Sequence, residues 1–528
     1  MTDKAILSNG SALAAKYGSA GAKQIRQAVQ NLIAADASRG LKSVYIELDD
    51  VNAMKRYGKA VVTNSASAQQ NKQAVDAVYK SLAPDYILLL GAVDVIPHQN
   101  LKNPLYNPSK PQDDPDRSVP SDLPYACEAA YSTAIEKFTG PTRVVGRVPD
   151  LTGGADPAYL VGVLKTAASA KLRPRADYEP YFSVSAEVWK KSTALSLEAV
   201  FGGDGDEQVC PDAEPPWKAD LIGRRAHFVN CHGAPRTPQF YGQHGRSYPV
   251  ALAADQLNGN LTVGVVAAME CCYGAELYDV TDVQGNQPGI GNTYLANQGF
   301  GYLGSTTIAY GPSDTNDWAD NLCQYFLESV LEGASLGRAL LEARQRYIKN
   351  APTPLGPVDL KTLAQFLLLG DPSIQAVQAA PAPSLPKAIT ASLAHTKMYS
   401  AMISGRGSRI SRRKDLIANG LALARTWPAV RSRKTAPPAR MRTQLKKLAG
   451  DMGLKDPSMF TFKAPRTSSG AFHAGAQPKA LISKLPDVTA VHVMLEAAEP
   501  ADGVHRATAI VVREAAGEVV SVHRGYAK

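Results

Sequence analysis

Two short apolar stretches of the sequence each end in residues that could carry nucleophilic or proton-transfer chemistry. The stretch AHFVNCHG closes on His232 and Gly233, and the stretch VGVVAAMECCYG closes on Cys271 and Cys272 before its glycine. If both stretches are strands of one parallel sheet, their carboxyl ends bring an imidazole and a thiol to the same edge. The spacing therefore raises the question of a catalytic pair.

A histidine beside a cysteine is the pair that nucleophilic acyl transfer requires. The imidazole increases the reactive thiolate fraction and can later protonate the leaving amine. A glycine after the histidine permits a tight turn and leaves its N–H free to face an oxyanion. Taken alone, each stretch can also be a turn with an incidental histidine or a buried structural cysteine. The two together, forty residues apart, favour a catalytic dyad.

The other cysteines indicate neither a metal site nor a disulfide framework. The chain has six cysteines in 528 residues and no C-x-x-C spacing. Zinc sites and disulfide scaffolds both depend on denser, paired cysteines. We expect Cys127, Cys210 and Cys323 to be small buried apolar residues.

The elements that must position the dyad follow from the apolar pattern. Continuous short apolar runs, typical of strands covered on both faces, occur at 43–48, 85–91, 142–148, 226–231, 263–269, 299–304 and 365–371. Helical spacing lies between them, in the sets Ile25/Val29/Leu32/Ile33, Val75/Val78/Tyr79/Leu82, Leu322/Phe326 and Leu336/Leu340/Tyr347. Alternating strands and helices predict a mainly parallel sheet between helix layers.

Composition and length are those of a globular protein with more than one core. Hydrophobic residues make up 45% and charged residues 20% of the 528 residues. The sequence contains no apolar run of about 18 residues, which a membrane span would need. The first residues also lack the basic and apolar segments of a secretory signal. We therefore expect a cytoplasmic protein with no membrane partner.

Positive charge is concentrated in one segment after the predicted sheet. Residues 381–450 hold fifteen Lys and Arg against Asp415 alone, a local +14 in a chain of net +9. A Pro/Ala linker is predicted at 376–388, with exposed basic loops at 404–414 and 431–442 around a short helix. Alternating runs from about 488 predict a small antiparallel sheet. We do not expect a nucleic-acid partner, because the segment lacks aromatic interleaving and a recognised motif.

The order of His-Gly and Cys-x-Gly after apolar strands resembles the caspase-type (clan CD) cysteine peptidases. The likeness is broader to the gingipain (C25-like) branch, and it covers roughly residues 40–376. It rests on the successive landmarks YILLLGAVDVIPH, SDLPYA, RVVGRVPD, FGYLGSTTIAYGP and FLLLGDPSI. The resemblance implies an α/β fold, a caspase-like α/β/α sandwich with a mainly parallel sheet, and a small C-terminal α+β region after it.

The resemblance also implies roles for individual residues. His232 would be the general acid/base, and Gly233 would supply an oxyanion N–H. The caspase-like pattern of an acid or amide, a small residue and cysteine makes Cys272 the nucleophile. The gingipain spacing Cys-x-x-Gly selects Cys271 instead. We favour Cys272, and Cys271 stays the alternative.

Substrate-binding residues follow from the same resemblance. The loop after GYLGSTT implies Ser305, Thr306 and Tyr310 as walls of the primary specificity pocket, although Tyr310 could equally be a buried structural residue. Glu136 and Asp122 are the acids nearest the expected cleft. Asp122 is also a typical turn or cap residue. Gingipains bind structural calcium, but no run of acids here requires it, so we expect no cofactor and leave calcium open.

These observations predict four segments and one activity. The segments are a helical N-terminal part, a peptidase domain with two subdomains, a linker with the basic segment, and a small antiparallel domain, at 1–40, 41–376 (41–180 and 181–376), 377–450 and 451–528. The predicted activity is that of a cysteine endopeptidase preferring a basic residue before the cut. We expect regulation by processing at the basic loops or by a protein partner, as in a bacterial defence cascade. The alternative is a non-catalytic scaffold that binds a protein or nucleic acid.

Overall fold

The computed structural model describes residues 2–58, 60–379, 405–427, 429–431, 433–465, 488–501 and 504–528. Residues 380–388 of the predicted linker lie outside the described residues. The strands are β1 (Lys4–Ser8), β2 (Ser43–Glu47), β3 (Tyr86–Leu90), β4 (Gln99–Lys102), β5 (Ser118–Ser121), β6 (Val144–Val148), β7 (Tyr181–Ala186), β8 (Glu207–Cys210), β9 (Ala226–Asn230), β10 (His232–Gly233), β11 (Gln239–Tyr241), β12 (Val250–Ala253), β13 (Val266–Met269), β14 (Gly301–Ser305), β15 (Tyr310–Gly311), β16 (Phe366–Gly370), β17 (Lys434–Thr435), β18 (Ser458–Lys463), β19 (Ala490–Ala501), β20 (Val504–Ala515) and β21 (Glu518–Ala527).

Helices occupy most of the intervals between these strands. They are α1 (Gly10–Ser38), α2 (Val51–Met54), α3 (Ala68–Leu82), α4 (Ala158–Ser169), α5 (Lys190–Phe201), α6 (Ala219–Ile222), α7 (Ala254–Leu257), α8 (Ile290–Ala296), α9 (Ala319–Leu331), α10 (Leu336–Asn350), α11 (Pro357–Gln365), α12 (Gly405–Thr426) and α13 (Ala439–Asp451). The predicted apolar faces fall on α1, α3, α9 and α10, and their central residues are buried.

A ten-stranded sheet forms the centre, in the order β2-β1-β3-β6-β16-β14-β13-β9-β7-β8. All neighbours run parallel except β14 and β16, which pair antiparallel. The sheet thus consists of two parallel half-sheets that meet at the β14–β16 pair and run in opposite directions. The carboxyl ends of their strands therefore lie at opposite edges of the sheet. The predicted caspase-like α/β/α class with a mainly parallel sheet is confirmed.

The seven predicted strands all appear, because their continuous apolar runs suit strands buried on both faces. β3 (YILLL) and β16 (FLLLG) are examples, and every residue of β16 is buried. The predictions missed β1, β7 and β8. In β7 (YFSVSA) serines alternate with apolar residues, a pattern typical of a half-exposed strand, yet all six residues are buried.

The predicted boundary at residue 41 differs from the structure. β1 lies between β2 and β3 in the central sheet, so residues 1–40 contribute a strand as well as a helix. Its sequence, KAILS, starts with a lysine, which reads as a surface residue. Lys4 is instead fully buried and forms ion pairs with Asp36 and Asp371.

The prediction of an exposed loop at 404–414 is wrong, because α12 covers residues 405–426. The Gly and Arg content of this segment is typical of a loop, but the helix is held against the domain that contains the central sheet. Gln345 on α10 donates to the Leu416 carbonyl at 2.7 Å, and Gly420 lies against the Pro141 carbonyl, where a side chain would not fit. The second predicted loop, 431–442, contains β17 and the start of α13.

The C-terminal strands form an antiparallel sheet, as predicted, in the order β15-β21-β20-β19-β18-β17. Side chains alternate between its faces. Val491, Val493 and Val511 join the core around the central sheet, whereas Ile510 and Val512 pack with α13 on the other face. The C-terminal sheet is therefore continuous with the central-sheet domain through β15. Among the described residues, no helix is both long and apolar enough to pass through a lipid bilayer.

Candidate active site

The sheet brings the predicted histidine and cysteines together. β9 and β13 are parallel neighbours, with Val229 opposite Met269, so the segments after both strands leave the same edge. Gly233 lies directly against the main chain of Cys272, because any side chain at Gly233 would overlap the Cys272 carbonyl. The glycine that follows the histidine is thus required by close approach of the two segments.

Hydrogen bonds fix the tautomer of His232. Its Nε2 lies 2.8 Å from Oε1 of Gln243, and the Gln243 amide donates to the Gly245 carbonyl at 3.2 Å. Because that oxygen can only accept, Nε2 carries the hydrogen and Nδ1 is the basic nitrogen. Among the described residues, Nδ1 has no hydrogen-bond partner. Trp189 and Tyr248 pack on the ring, and burial lowers the pKa of His232 to about 4.

The two cysteines face different surroundings. Sγ of Cys271 lies 3.9 Å from the Val229 carbonyl on β9, inside the sheet layer. Sγ of Cys272 accepts from the Ala309 N–H at 3.3 Å, on the loop that leads into β15. Burial raises the pKa of Cys272 to about 12, so the thiol is protonated in this arrangement. Cys272 is the one that borders the loop after β14.

The end of β21 lies along this loop. Ala527 pairs with Tyr310 and Tyr526 with Gly311, antiparallel. Lys528 continues the pairing, because its N–H donates to the Ala309 carbonyl at 2.9 Å. Its carbonyl oxygen accepts from the Cys272 N–H at 2.8 Å.

The side chain of Lys528 fills a closed acidic pocket. Its ammonium donates to Glu270 and to Asp320, each at 2.6 Å, and all three side chains are fully buried. The ammonium also lies 5.4 Å from the centre of the Trp189 ring, within cation–π range. Gly311 forms one wall, since a Cβ there would overlap the Lys528 side chain. The pocket fits an unbranched side chain that ends in a small cation.

Both acids of this pocket contact the same ammonium in a buried position. Burial, followed by the proximity of Asp320, raises the pKa of Glu270 well above its usual range. Each acid also has one oxygen with no donor among the described residues. Despite burial, the two acids raise the pKa of Lys528.

The predicted pocket residues have different places. The Ser305 hydroxyl donates to main-chain carbonyls, that of Cys271 at 2.8 Å among them, and the Thr306 hydroxyl donates to the Pro120 carbonyl at 2.7 Å. Both residues thus position the loop. Tyr310 pairs through its main chain with Ala527, while its hydroxyl lies 3.1 Å from Asp114.

The two predicted acids are not the ones that surround Lys528. Both oxygens of Asp122 are taken by the guanidinium of Arg147, at 2.6 and 2.8 Å, and one also by His98. Its charge is therefore already compensated inside the fold. Glu136 lies on the short 3-10 helix Ile135–Lys137, which packs against α11.

Sequence reasoning missed the residues that form the pocket. Glu270 had a usable signal, because it is an acid directly after a fully apolar strand and two residues before Cys272. Asp320 and Trp189 reach the pocket from α9 and from a turn before α5, and no local pattern marks them. No sequence pattern predicts the place of Lys528, because the pairing between β15 and β21 brings it to the pocket.

Comparisons with a family model, with solved structures and with curated proteins show what this chain is similar to. Residues 239–377 match the family model of Peptidase family C25, a range that includes Cys272, Gly311 and Asp320 and begins after His232. A solved structure described as "Structure of Protease" has a TM-score of 0.46 and 13% sequence identity, covering 99% of this chain and 96% of that chain. No curated protein matches the chain. The resemblance predicted from the sequence is confirmed over residues 239–377, which are similar to Peptidase family C25, the gingipain family of clan CD.

Proposed function

We propose that the protein is a cysteine endopeptidase that uses Cys272 as nucleophile and His232 as general acid/base, and that cuts after lysine. The observation that carries the proposal is the position of Lys528. Its carbonyl accepts a hydrogen bond from the N–H of Cys272, while its ammonium fills the pocket of Glu270 and Asp320. A substrate lysine in this place would present its carbonyl carbon to the Cys272 thiol.

The chemistry follows from the groups present. Nδ1 of His232 accepts the thiol proton, and Sγ of Cys272 attacks the scissile carbonyl. The N–H of Cys272 stabilises the oxyanion, with the N–H of Gly233 as the second donor implied by the resemblance. His232 then protonates the leaving amine as the C–N bond breaks. Water, activated by the same imidazole, hydrolyses the thioester and restores the thiol.

The pocket favours lysine over arginine. The ammonium donates two hydrogen bonds to Glu270 and Asp320. A guanidinium is broader and longer, and the pocket is closed by these acids at its end and by Gly311 at its side. A neutral side chain would leave a buried carboxylate without a cation. We therefore expect lysine to exceed arginine by roughly tenfold to hundredfold in kcat/KM.

Substituting the two adjacent cysteines tests the nucleophile, in a chain that ends at Gly525 so that Lys528 does not occupy the pocket. Cys272→Ala should reduce hydrolysis of a lysyl peptide by about 10⁴-fold or more, because the covalent step is lost. The matched control is Cys271→Ala, which should keep activity within a few-fold. A lysyl acyloxymethyl ketone should label only chains that retain Cys272, as read by mass spectrometry. The reverse pattern would assign the reaction to Cys271, and labelling of neither would favour the non-catalytic scaffold.

The specificity is tested by removing the charge of the pocket. Asp320→Asn should reduce kcat/KM for lysyl peptides by about a hundredfold, because the ammonium would be buried without its counter-charge. Hydrolysis after norleucine, which matches lysine without the charge, should fall much less. Asp282→Asn is the control, because Asp282 is an exposed acid outside the pocket, and it should leave the lysine preference unchanged. An equal loss on both peptides would contradict the assignment of Asp320.

The cytoplasmic location, the regulatory protein partner and the place in a bacterial defence cascade stay predictions. The same holds for structural calcium. Among the described residues, no group of three or more His, Cys, Asp or Glu side chains is arranged to hold a metal ion.

A further inference from the structure

We propose that the end of β21 is an intramolecular ligand of the peptidase site, with Lys528 in the place of the residue before the cut, and that the site opens only when residues 526–528 leave β15. This inference rests on the proposed function and adds its regulation. It concerns residues 526–528, for which no sequence pattern predicts a place beside His232 and Cys272.

The main chain of this segment is bound as an added strand. Tyr526 and Ala527 pair antiparallel with Gly311 and Tyr310, and Lys528 bonds Ala309 through its N–H. Peptides commonly bind in this way, with main-chain bonds for affinity and a pocket for one side chain. A substrate strand would need the same edge of β15. Substrate and β21 therefore exclude each other.

The side chain closes the site from inside. Lys528 is fully buried, and its ammonium forms ion pairs with both Glu270 and Asp320. Cys272 and His232 are only 1% and 3% exposed in this arrangement. The C-terminal sheet covers the histidine side as well, since Val504 packs with Tyr241 and Tyr248. Neither a peptide nor bulk water reaches the dyad.

Release of the last residues of β21 is enough to free the Lys528 pocket, the edge of β15 and the N–H of Cys272. The rest of the strand is fixed by β20, with pairs that run from Glu518 opposite Ala515 to Tyr526 opposite Thr508. β20 in turn pairs with β19. Releasing residues 526–528 breaks the pairing with β15 and a single pair with β20. The sheet is retained, so closure and folding can be separated by experiment.

The first test compares the full chain with a chain that ends at Gly525. The shortened chain should hydrolyse a lysyl peptide at least tenfold faster, and iodoacetamide should alkylate its Cys272 at least tenfold faster. Val520→Ala is the matched control on β21, because Val520 is 41% exposed and lies outside the paired end. It should leave both rates unchanged. Circular dichroism and the unfolding midpoint verify that the shortened chain is folded.

The second test restores the ligand in trans and does not depend on catalysis. The peptide VVSVHRGYAK, residues 519–528, should bind the shortened chain carrying Cys272→Ala, measured by fluorescence anisotropy. The peptide ending in alanine instead of lysine should bind at least tenfold more weakly.

The outcomes separate the inference from the proposed function. Binding of the lysine peptide with faster alkylation, but without hydrolysis by any chain, supports the intramolecular ligand and rejects the peptidase. Equal hydrolysis and alkylation by full and shortened chains would overturn the intramolecular ligand and leave the peptidase intact. Equal binding of the two peptides would overturn the role of Lys528.

Discussion

Two buried clusters of histidine, acid and cation lie in the two halves of the molecule, and they differ in where the cation comes from. In the first half, Arg147 on β6 binds both oxygens of Asp122, which also meets Nδ1 of His98. In the second half, Glu270 and Asp320 are compensated by Lys528, at the end of a strand from the C-terminal sheet. Arg147 is part of the central sheet that it stabilises, whereas Lys528 comes from the C-terminal sheet.

The difference separates a structural cluster from a functional one. Arg147 also donates to the carbonyls of Gly91 and Ile96. Removing its guanidinium would therefore also disrupt the loop after β3. Although burial opposes it, the charges of Arg147 and His98 hold the pKa of Asp122 well below its usual range. The proposed function requires that Lys528 be exchanged for the lysine of a substrate. A buried acid indicates a ligand site when its cation is replaceable.

The sharpest test of this comparison is to remove each cation. Arg147→Met should destabilise the fold by about 3–5 kcal/mol, because it leaves Asp122 buried without a counter-charge. Lys528→Ala should cost about 1 kcal/mol, because the emptied pocket admits water that solvates Glu270 and Asp320. Urea denaturation of both variants measures the difference. Equal losses would mean that Lys528 is as structural as Arg147.

The pH dependence of stability should reflect the buried neutral histidine of the second cluster. The pKa of His232 is about 4 when folded and about 6.5 in an unfolded chain. Between these values the unfolded state binds more protons, so stability falls as the pH is lowered from about 6.5 to 4. The contribution is on the order of 3 kcal/mol. His232→Gln should flatten this part of the urea-denaturation profile, and an unchanged slope would contradict the burial of His232.

The smallest expected effect comes from giving His232 a carboxylate partner, which His98 already has. Gln243→Glu places a carboxylate on Nε2 of His232, as Asp122 does on His98, and should raise the pKa of the imidazole. In the chain that ends at Gly525, the acid limb of kcat/KM should move up by about one pH unit. Gln243→Asn is the neutral control. An acid limb that stays in place would show that His232 is not the titrating base.

The sequence predicted the parts of this site that depend on local pattern. The apolar runs predicted β9 and β13. The residues that follow these strands indicated His232 and Cys272 as the dyad and Gly233 as the oxyanion donor. The pattern could not give Asp320, which reaches the pocket through the packing of α9, nor the true partners of Asp122. β1 was missed because Lys4 looks exposed, although two carboxylates allow its burial.

The pairing of β20 with β21 has a consequence for competition at the site. A ligand attached by a short length of chain acts at an effective concentration in the millimolar range or above. If Lys528 is such a ligand, contacts that would hold a free peptide only weakly keep it in place, and dilute substrates do not displace it by mass action. Loss of residues 526–528 would remove that advantage completely, so such a site would respond to removal of these residues far more steeply than to the supply of substrate.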